Sequence, residues 1–240
     1  MSESKDGESA KPKGLVRRFF ESLPIAEYAE TAADALTDSE VLKEVPVIST
    51  LVGIWGFRNQ FKRKRFLNRV EAFHSNVSEL TIEELNGFDE EFESPDEAEE
   101  FVTDLIELMD RLENEQKSIM LAGVFKRLVR KELSRDNFKE ISRVFERVNN
   151  IDLFLFMHGY KNPYSFEHAL GDILVGVRVC KRDIKMATRQ TVMLDPSKVE
   201  SYISVSYEVT PFGRLVLETL HQVYEDKIDP GDLIKVGAPL

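Results

Sequence analysis

A mainly α protein, with a multi-helix N-terminal domain followed by a small α+β unit, is the fold class that this sequence predicts. Three observations lead there. Apolar residues recur at helical spacing through most of the chain. Several of these stretches open on a capping residue, as in Ser94-Pro95-Asp96-Glu97, where Ser caps, Pro takes the first helical position and Glu the capping-box position. Period-two alternation occurs only near the C-terminus, roughly from Lys185 to Leu194 and from Tyr202 to Val209, with Asp195-Pro196-Ser197 between as a hairpin tip.

The 240 residues are 42% hydrophobic and 31% charged, enough for one large or two small domains with a substantial core. A single Cys excludes a disulfide framework and a Cys-rich zinc module. No stretch approaches the roughly 20 apolar residues that span a bilayer. The N-terminus lacks the pattern of a secretory signal, so a cytoplasmic, reducing location is expected.

Element by element, Met1–Lys13 reads as a disordered polar tail. Gly14–Asn149 reads as the helical domain. In it Leu15, Phe19, Phe20 and Leu23 share a face, Pro24 interrupts, and Ile25–Leu36 resumes as an alanine-rich helix that ends at Thr37-Asp38-Ser39. Val45–Phe57 is uncharged and starts on Pro46 after one residue. A helix running on from it turns Val47, Ile54, Phe57 and Phe61 to one side and Phe66, Val70, Phe73 and Val77 to nearly the opposite side. Such a helix must satisfy two neighbours.

Ala98, Phe101, Val102, Leu105, Ile106, Leu108, Met109 and Leu112 form the next apolar face. Glu115–Glu132 follows with Ile119, Ala122, Phe125, Leu128 and Val129. A helix capped by Ser134 carries Phe138, Ile141, Val144, Phe145 and Val148; basic outer faces are expected on both. The second unit, Asn150–Leu240, begins with Ile151–Met157, strand or buried helix by periodicity, and continues with a helix capped by Ser165 over Phe166–Val177. After the hairpin, Thr210-Pro211 starts a helix reaching about Tyr224.

The net charge of −11 conceals a pattern. Glu71–Gln116 holds 17 acidic residues and one basic residue, a segment charge of −16 that leaves +5 for the rest. Directly before it, Phe57–Arg69 carries Arg58, Lys62, Arg63, Lys64, Arg65 and Arg69 with no acid. Either the two blocks are solvated faces that pair with each other, or the basic block meets a phosphate-bearing surface. An uncharged segment with Trp55, followed by basic residues and Phe57, Phe61 and Phe66, has the composition of an interfacial anchor. The lipid-contact candidates are therefore Trp55, Phe57, Arg58, Phe61, Lys62, Arg63, Lys64 and Arg65. The alternative is a core helix with a basic edge.

No catalytic motif stands out. His74, His158, His168 and His221 form no metal-ligand spacing, and the acidic run from Asp89 to Glu100 does not match a calcium loop. Cys180 lies beside Lys181 and Arg182 but has no identifiable partner base. Phosphate-binding glycine loops and the nucleophile elbow are absent from the sequence. The expectation is a non-enzymatic chain with no cofactor and no metal.

The order helix, hairpin, then Val209-Thr210-Pro211-Phe212-Gly213 resembles the end of winged-helix domains, where a wing leads into a helix opened by a Leu-Thr-x-x-Gly element; Val replaces Leu here. That resemblance implies a winged-helix-like unit in which Thr caps and Gly allows close packing on the preceding strand. Its recognition helix would be Phe166–Val177, which has no basic residue before Arg178. Lys181, Arg182, Lys185 and Arg189 offer a positive patch for nucleic-acid backbone or for a protein partner.

Over most of its length the chain also resembles a group of uncharacterised bacterial proteins, through Pro46-Val47-Ile48-Ser49, Phe57–Phe66, Glu115-Gln116-Lys117-Ser118 and Thr210-Pro211-Phe212-Gly213. These proteins are similar to components of antiviral or toxin-type gene clusters, which implies a role in phage defence. The functional expectation is a sensor or adaptor, cytoplasmic with a peripheral place at the inner membrane. It would contact anionic membrane or lipid through the basic Phe-rich helix and a protein partner through the C-terminal unit. The alternatives are a nucleic-acid-binding regulator and a scaffold that forms homo-oligomers through the second face of the Val45–Val77 helix.

Overall fold

The structure, a computed structural model, describes residues 14–22, 60–166, 169–190 and 199–234. It is mainly helical, with one two-stranded antiparallel sheet near the C-terminus. The polar tail, the alanine-rich stretch, the uncharged Val45–Phe57 segment and the hairpin tip lie outside the described residues. Two compact units divide the chain, 1–138 and 139–240. The division falls inside a helix, upstream of the Asn149 boundary read from the sequence.

The first unit contains α1 (Leu15–Ser22), α2 (Gln60–Val77), α3 (Ile82–Asp89), α4 (Pro95–Arg111), α5 (Glu115–Val129) and the start of α6 (Arg135–Arg147). Phe125 is its centre. Its ring meets those of Phe20, Phe73, Phe88, Phe101 and Phe138 at centroid distances from 5.1 to 6.5 Å. Each of these rings comes from a different helix, so one aromatic cluster fixes α1 to α6 together. The arrangements are tilted or edge-on, as the ring quadrupole favours. The expected face of α2 is buried, with Phe66 and Phe73 fully enclosed and Val70 and Val77 nearly so. The whole predicted apolar face of α4 is buried as well.

Polar groups place the ends of these helices. Ser94 caps α4 by accepting the Glu97 N–H at 3.2 Å. The Glu97 carboxylate accepts the Glu93 N–H at 2.6 Å, one residue before the capping-box donor. A complete capping box joins Thr81 and Glu84 at the start of α3. The Asp89 carboxylate accepts the N–H groups of Val16 and Arg17 at 2.8 and 3.2 Å, capping α1 from a distant part of the chain.

Two expectations for α5 need correction. The helix stops at Val129, not Glu132: the Lys131 N–H donates to Leu128 O, the Glu132 N–H to Arg127 O, and Lys131 adopts φ 62°. This is a Schellman stop with Lys where glycine is usual, so no glycine in the sequence announced it. Nor is the basic face wholly outward. Lys117 and Arg127 are buried and pair with Glu113 (3.2 Å) and Glu132 (3.1 Å).

The second unit continues from α6 into α7 (Asn150–Gly159), α8 (Ala169–Gly176), strands β1 (Cys180–Gln190) and β2 (Val199–Val209), and α9 (Pro211–Val223). The ambiguous Ile151–Met157 run is helical. The helix expected over Phe166–Val177 is shorter: Ser165 lies in a single 3₁₀ turn, Pro163–Phe166, and the α-helix is described from Ala169. The alternating stretches do form a hairpin, with Ile184 opposite Val205 and Met186 opposite Ile203. Thr210 caps α9 through the Gly213 N–H at 2.9 Å. Gly213 packs against Val179 at the entry to β1, not on β2; a Cβ there would lie 2.0 Å from Val179 O.

Phe125→Ala should lower stability by about 3–5 kcal/mol, the usual cost of emptying a closed aromatic site. Chemical denaturation of the intact chain measures this, and a loss below about 1 kcal/mol would show that the rings repack without it.

Candidate functional site

Two candidate surfaces emerge, one on each unit. On the first, Lys62, Lys64 and Arg65 are exposed along the start of α2. Trp55, Phe57 and Arg58 lie outside the described residues, as do the side chains of Phe61 and Arg63. Two members of the basic Phe-rich stretch belong to the interior. Phe66 is fully buried, and Arg69 donates to Met109 O at 2.9 Å and Asp110 O at 3.1 Å, closing the C-terminal carbonyls of α4. The helix is thus held by its second half, while its first half presents cations.

One acid of the segment, Asp110, pairs with Arg69 of the basic block (3.4 Å), and four others have partners outside that block. Glu79 pairs with Lys126 (2.9 Å) and Arg130 (3.5 Å), Glu84 with Arg130 (3.0 Å), Glu91 with Lys131 (2.9 Å), and Glu97 with Arg135. The hydrogen bond from Lys126 holds the Glu79 carboxyl below its ordinary value, and the Thr81 N–H and then Arg130 do the same for Glu84. At the basic block, Arg65 reaches the backbone carbonyl of Glu113 at 3.1 Å. Pairing of the acidic run with α5 and α6, distant in sequence, was not visible from the adjacency of the two blocks.

On the second unit the predicted basic patch is matched by acids. Lys181 pairs with Glu208 (2.8 Å), Arg182 with Asp172, Lys185 with Asp183 and Arg189 with Glu200 (3.0 Å). Tyr207 donates to the same Asp172 at 2.7 Å, and this bond, followed by that from Arg182, lowers the Asp172 pKa. These cations brace the hairpin on α8 and within its own ladder. The outer half of the same hairpin exposes apolar side chains: Ile184 (59%), Met186 (75%), Ile203 (67%) and Val205 (45%). Alternation found the β2 members; Ile184 and Met186, isolated among polar residues, were not singled out.

Among the described residues no group of His, Cys, Asp and Glu is placed to hold a metal ion. Burial pushes the Cys180 thiol up to about 12, which removes the thiolate that nucleophilic chemistry needs. His221 is fully buried, its Nε2 3.1 Å from Met157 O and its Nδ1 accepting the Ile234 N–H at 3.1 Å. The proton therefore sits on Nε2, and the neutral ring ties the C-terminal stretch to α7. No helix among the described residues is long and apolar enough to cross a membrane.

Burial lowers the His221 pKa from its ordinary 6.5, with the Met157 carbonyl opposing. The unfolded chain then takes the proton more readily than the folded one, so the contribution is complete above pH 6.5 and is lost as pH falls toward the lowered value. The melting temperature should fall as the pH drops below about 6.5, and His221→Gln should flatten that slope. An unchanged slope in the variant would assign it elsewhere.

No family model, no curated protein and no solved structure matches this chain.

Proposed function

We propose that the protein is a non-enzymatic sensor or adaptor. It meets an anionic membrane or lipid surface through the basic start of α2, and a protein partner through the C-terminal unit. The observation that carries this reading is the division of labour along α2: Lys62, Lys64 and Arg65 are exposed, while Phe66, Arg69, Val70 and Phe73 are buried in the first unit. The cationic stretch can be presented without loosening the core. Each basic residue near an anionic leaflet contributes about 1 kcal/mol. The uncharged Val45–Phe57 segment directly upstream supplies a second, apolar signal, and stable peripheral binding takes two.

The protein-partner half of the reading is supported by the apolar outer face of the hairpin. Four large side chains exposed together on one surface are uncommon on a chain that acts alone. The buried thiol of Cys180 and the backbone-bound ring of His221 favour an adaptor over an enzyme. A place in bacterial antiviral defence rests on the sequence resemblance alone. The nucleic-acid alternative is weakened by the carboxylate partners of Lys181, Arg182, Lys185 and Arg189.

Flotation of the intact chain with vesicles tests the membrane contact. Co-flotation should require anionic lipid and should decline with salt. Lys62→Glu together with Lys64→Glu should weaken it by at least about thirtyfold, the equivalent of about 2 kcal/mol for two lost contacts. Both positions are exposed, so the melting temperature serves as the folding control. Undiminished flotation of the variant, or none by the unaltered chain, would overturn the reading.

A further inference from the structure

Within the second unit, a half-open hollow of about 130 Å³ lies between α6, the end of α8 and the start of α9. Its wall includes Arg143, Arg147, Arg178, Glu140, Val177 and Phe212. From these residues we infer that the hollow binds the phosphate group of a small phosphomonoester, with the organic part of the ligand resting on Phe212.

Charge is the first support. Glu140 pairs with Arg178, so one carboxylate and one cation offset each other. Arg143 and Arg147 are exposed and make no ion pair with any described residue. They stand one turn apart on α6, where like charges repel and weaken the helix. The hollow therefore carries two guanidiniums with no carboxylate partner among the described residues, and a phosphate dianion matches them in charge.

Shape is the second. A hollow of about 130 Å³ has room for a phosphate group, and its open side leaves the rest of a ligand outside it. A concave site of that size suits a single recessed group better than a flat lipid surface or a duplex backbone.

The third is the wall that faces the arginines. Phe212 is half-buried, and the Arg178 guanidinium carbon lies 5.8 Å from its ring centre. Arg178 adopts φ 63° at the Schellman stop of α8, where its N–H donates to Val175 O and the Val179 N–H donates to Leu174 O. Its backbone is set by that stop, and its side chain, paired with Glu140, lies at the edge of the hollow. Phe212 and Val177 offer an apolar or aromatic substituent a surface beyond the phosphate.

Isothermal titration of the intact chain with phenyl phosphate and with inorganic phosphate tests this. Phenyl phosphate should bind more tightly, and each of Arg143→Gln and Arg147→Gln should weaken both probes by roughly tenfold. Phe212→Leu should keep inorganic phosphate binding and lose the preference for the phenyl ester. Because both arginines are exposed and repel each other, their variants should melt no lower than the unaltered chain. Equal affinity for the two probes would overturn the monoester assignment. Absence of binding at millimolar concentration, or binding retained in the double arginine variant, would overturn the site itself. None of these outcomes bears on vesicle flotation, which involves residues of the other unit.

Discussion

The first unit depends on one side chain. Phe125 sits where rings from α1, α2, α3, α4 and α6 converge, and no other described residue meets as many aromatic neighbours. A chain with 16 Phe and one Trp builds its interior from flat apolar plates without polar handles. Such plates pack at many angles, and the rings here meet tilted or edge-on. The placing of polar groups then falls to helix ends: Ser94, Thr81 and the far-reaching Asp89 each satisfy N–H groups that the helices leave open. Burial raises the Asp89 pKa despite the two N–H donors and the nearby Arg17 and Arg18, a measure of how closed that junction is.

The packing also decides which charges remain available. Of the basic residues in and beside α2, Arg69 is drawn inward to close α4, and Lys117 and Arg127 of α5 are drawn inward with acids beside them. Four acids between positions 79 and 97, namely Glu79, Glu84, Glu91 and Glu97, are matched with cations of α5, α6 and the turn between them. A formal charge of −11 thus describes the chain less well than its distribution does. Cations stay exposed at the start of α2 and in the arginine pair of α6, on separate units.

Much of this fold was legible because helices advertise themselves through period and caps. The faces of α2, α4 and α6 and the Ser94 and Thr210 caps were read from local spacing alone. What escaped was set by tertiary context. Lys131 and Arg178 stop their helices in the left-handed region without glycine, so α5 was read too long. Ile151–Met157 is apolar in either period, and only its packing makes it a helix. The candidate sites were less legible still. A basic run does not reveal which members turn inward, as Arg69 and Phe66 do. The arginines of α6 were read merely as part of an outer face, because their company with Arg178 and Phe212 joins three segments far apart in sequence. The hairpin cations looked like a patch until the ladder set each beside a carboxylate.

The hairpin has a consequence for motion. Its base is tied down: Arg182 and Tyr207 share Asp172, and Thr210 Oγ1 donates toward the Arg178 and Val179 carbonyls at 2.7 and 3.1 Å. Farther out, from Ile184 and Val205 onward, the two strands pair with each other, and among the described residues their large apolar side chains are exposed. Local opening is cheapest where buried contacts are fewest. Amide exchange should therefore run as a gradient along the ladder, fast toward Gln190 and Val199 and slow at Cys180 and Val209. The hairpin is thus anchored at its root on α8 and the start of α9, and its outer ladder can open without breaking those anchoring bonds.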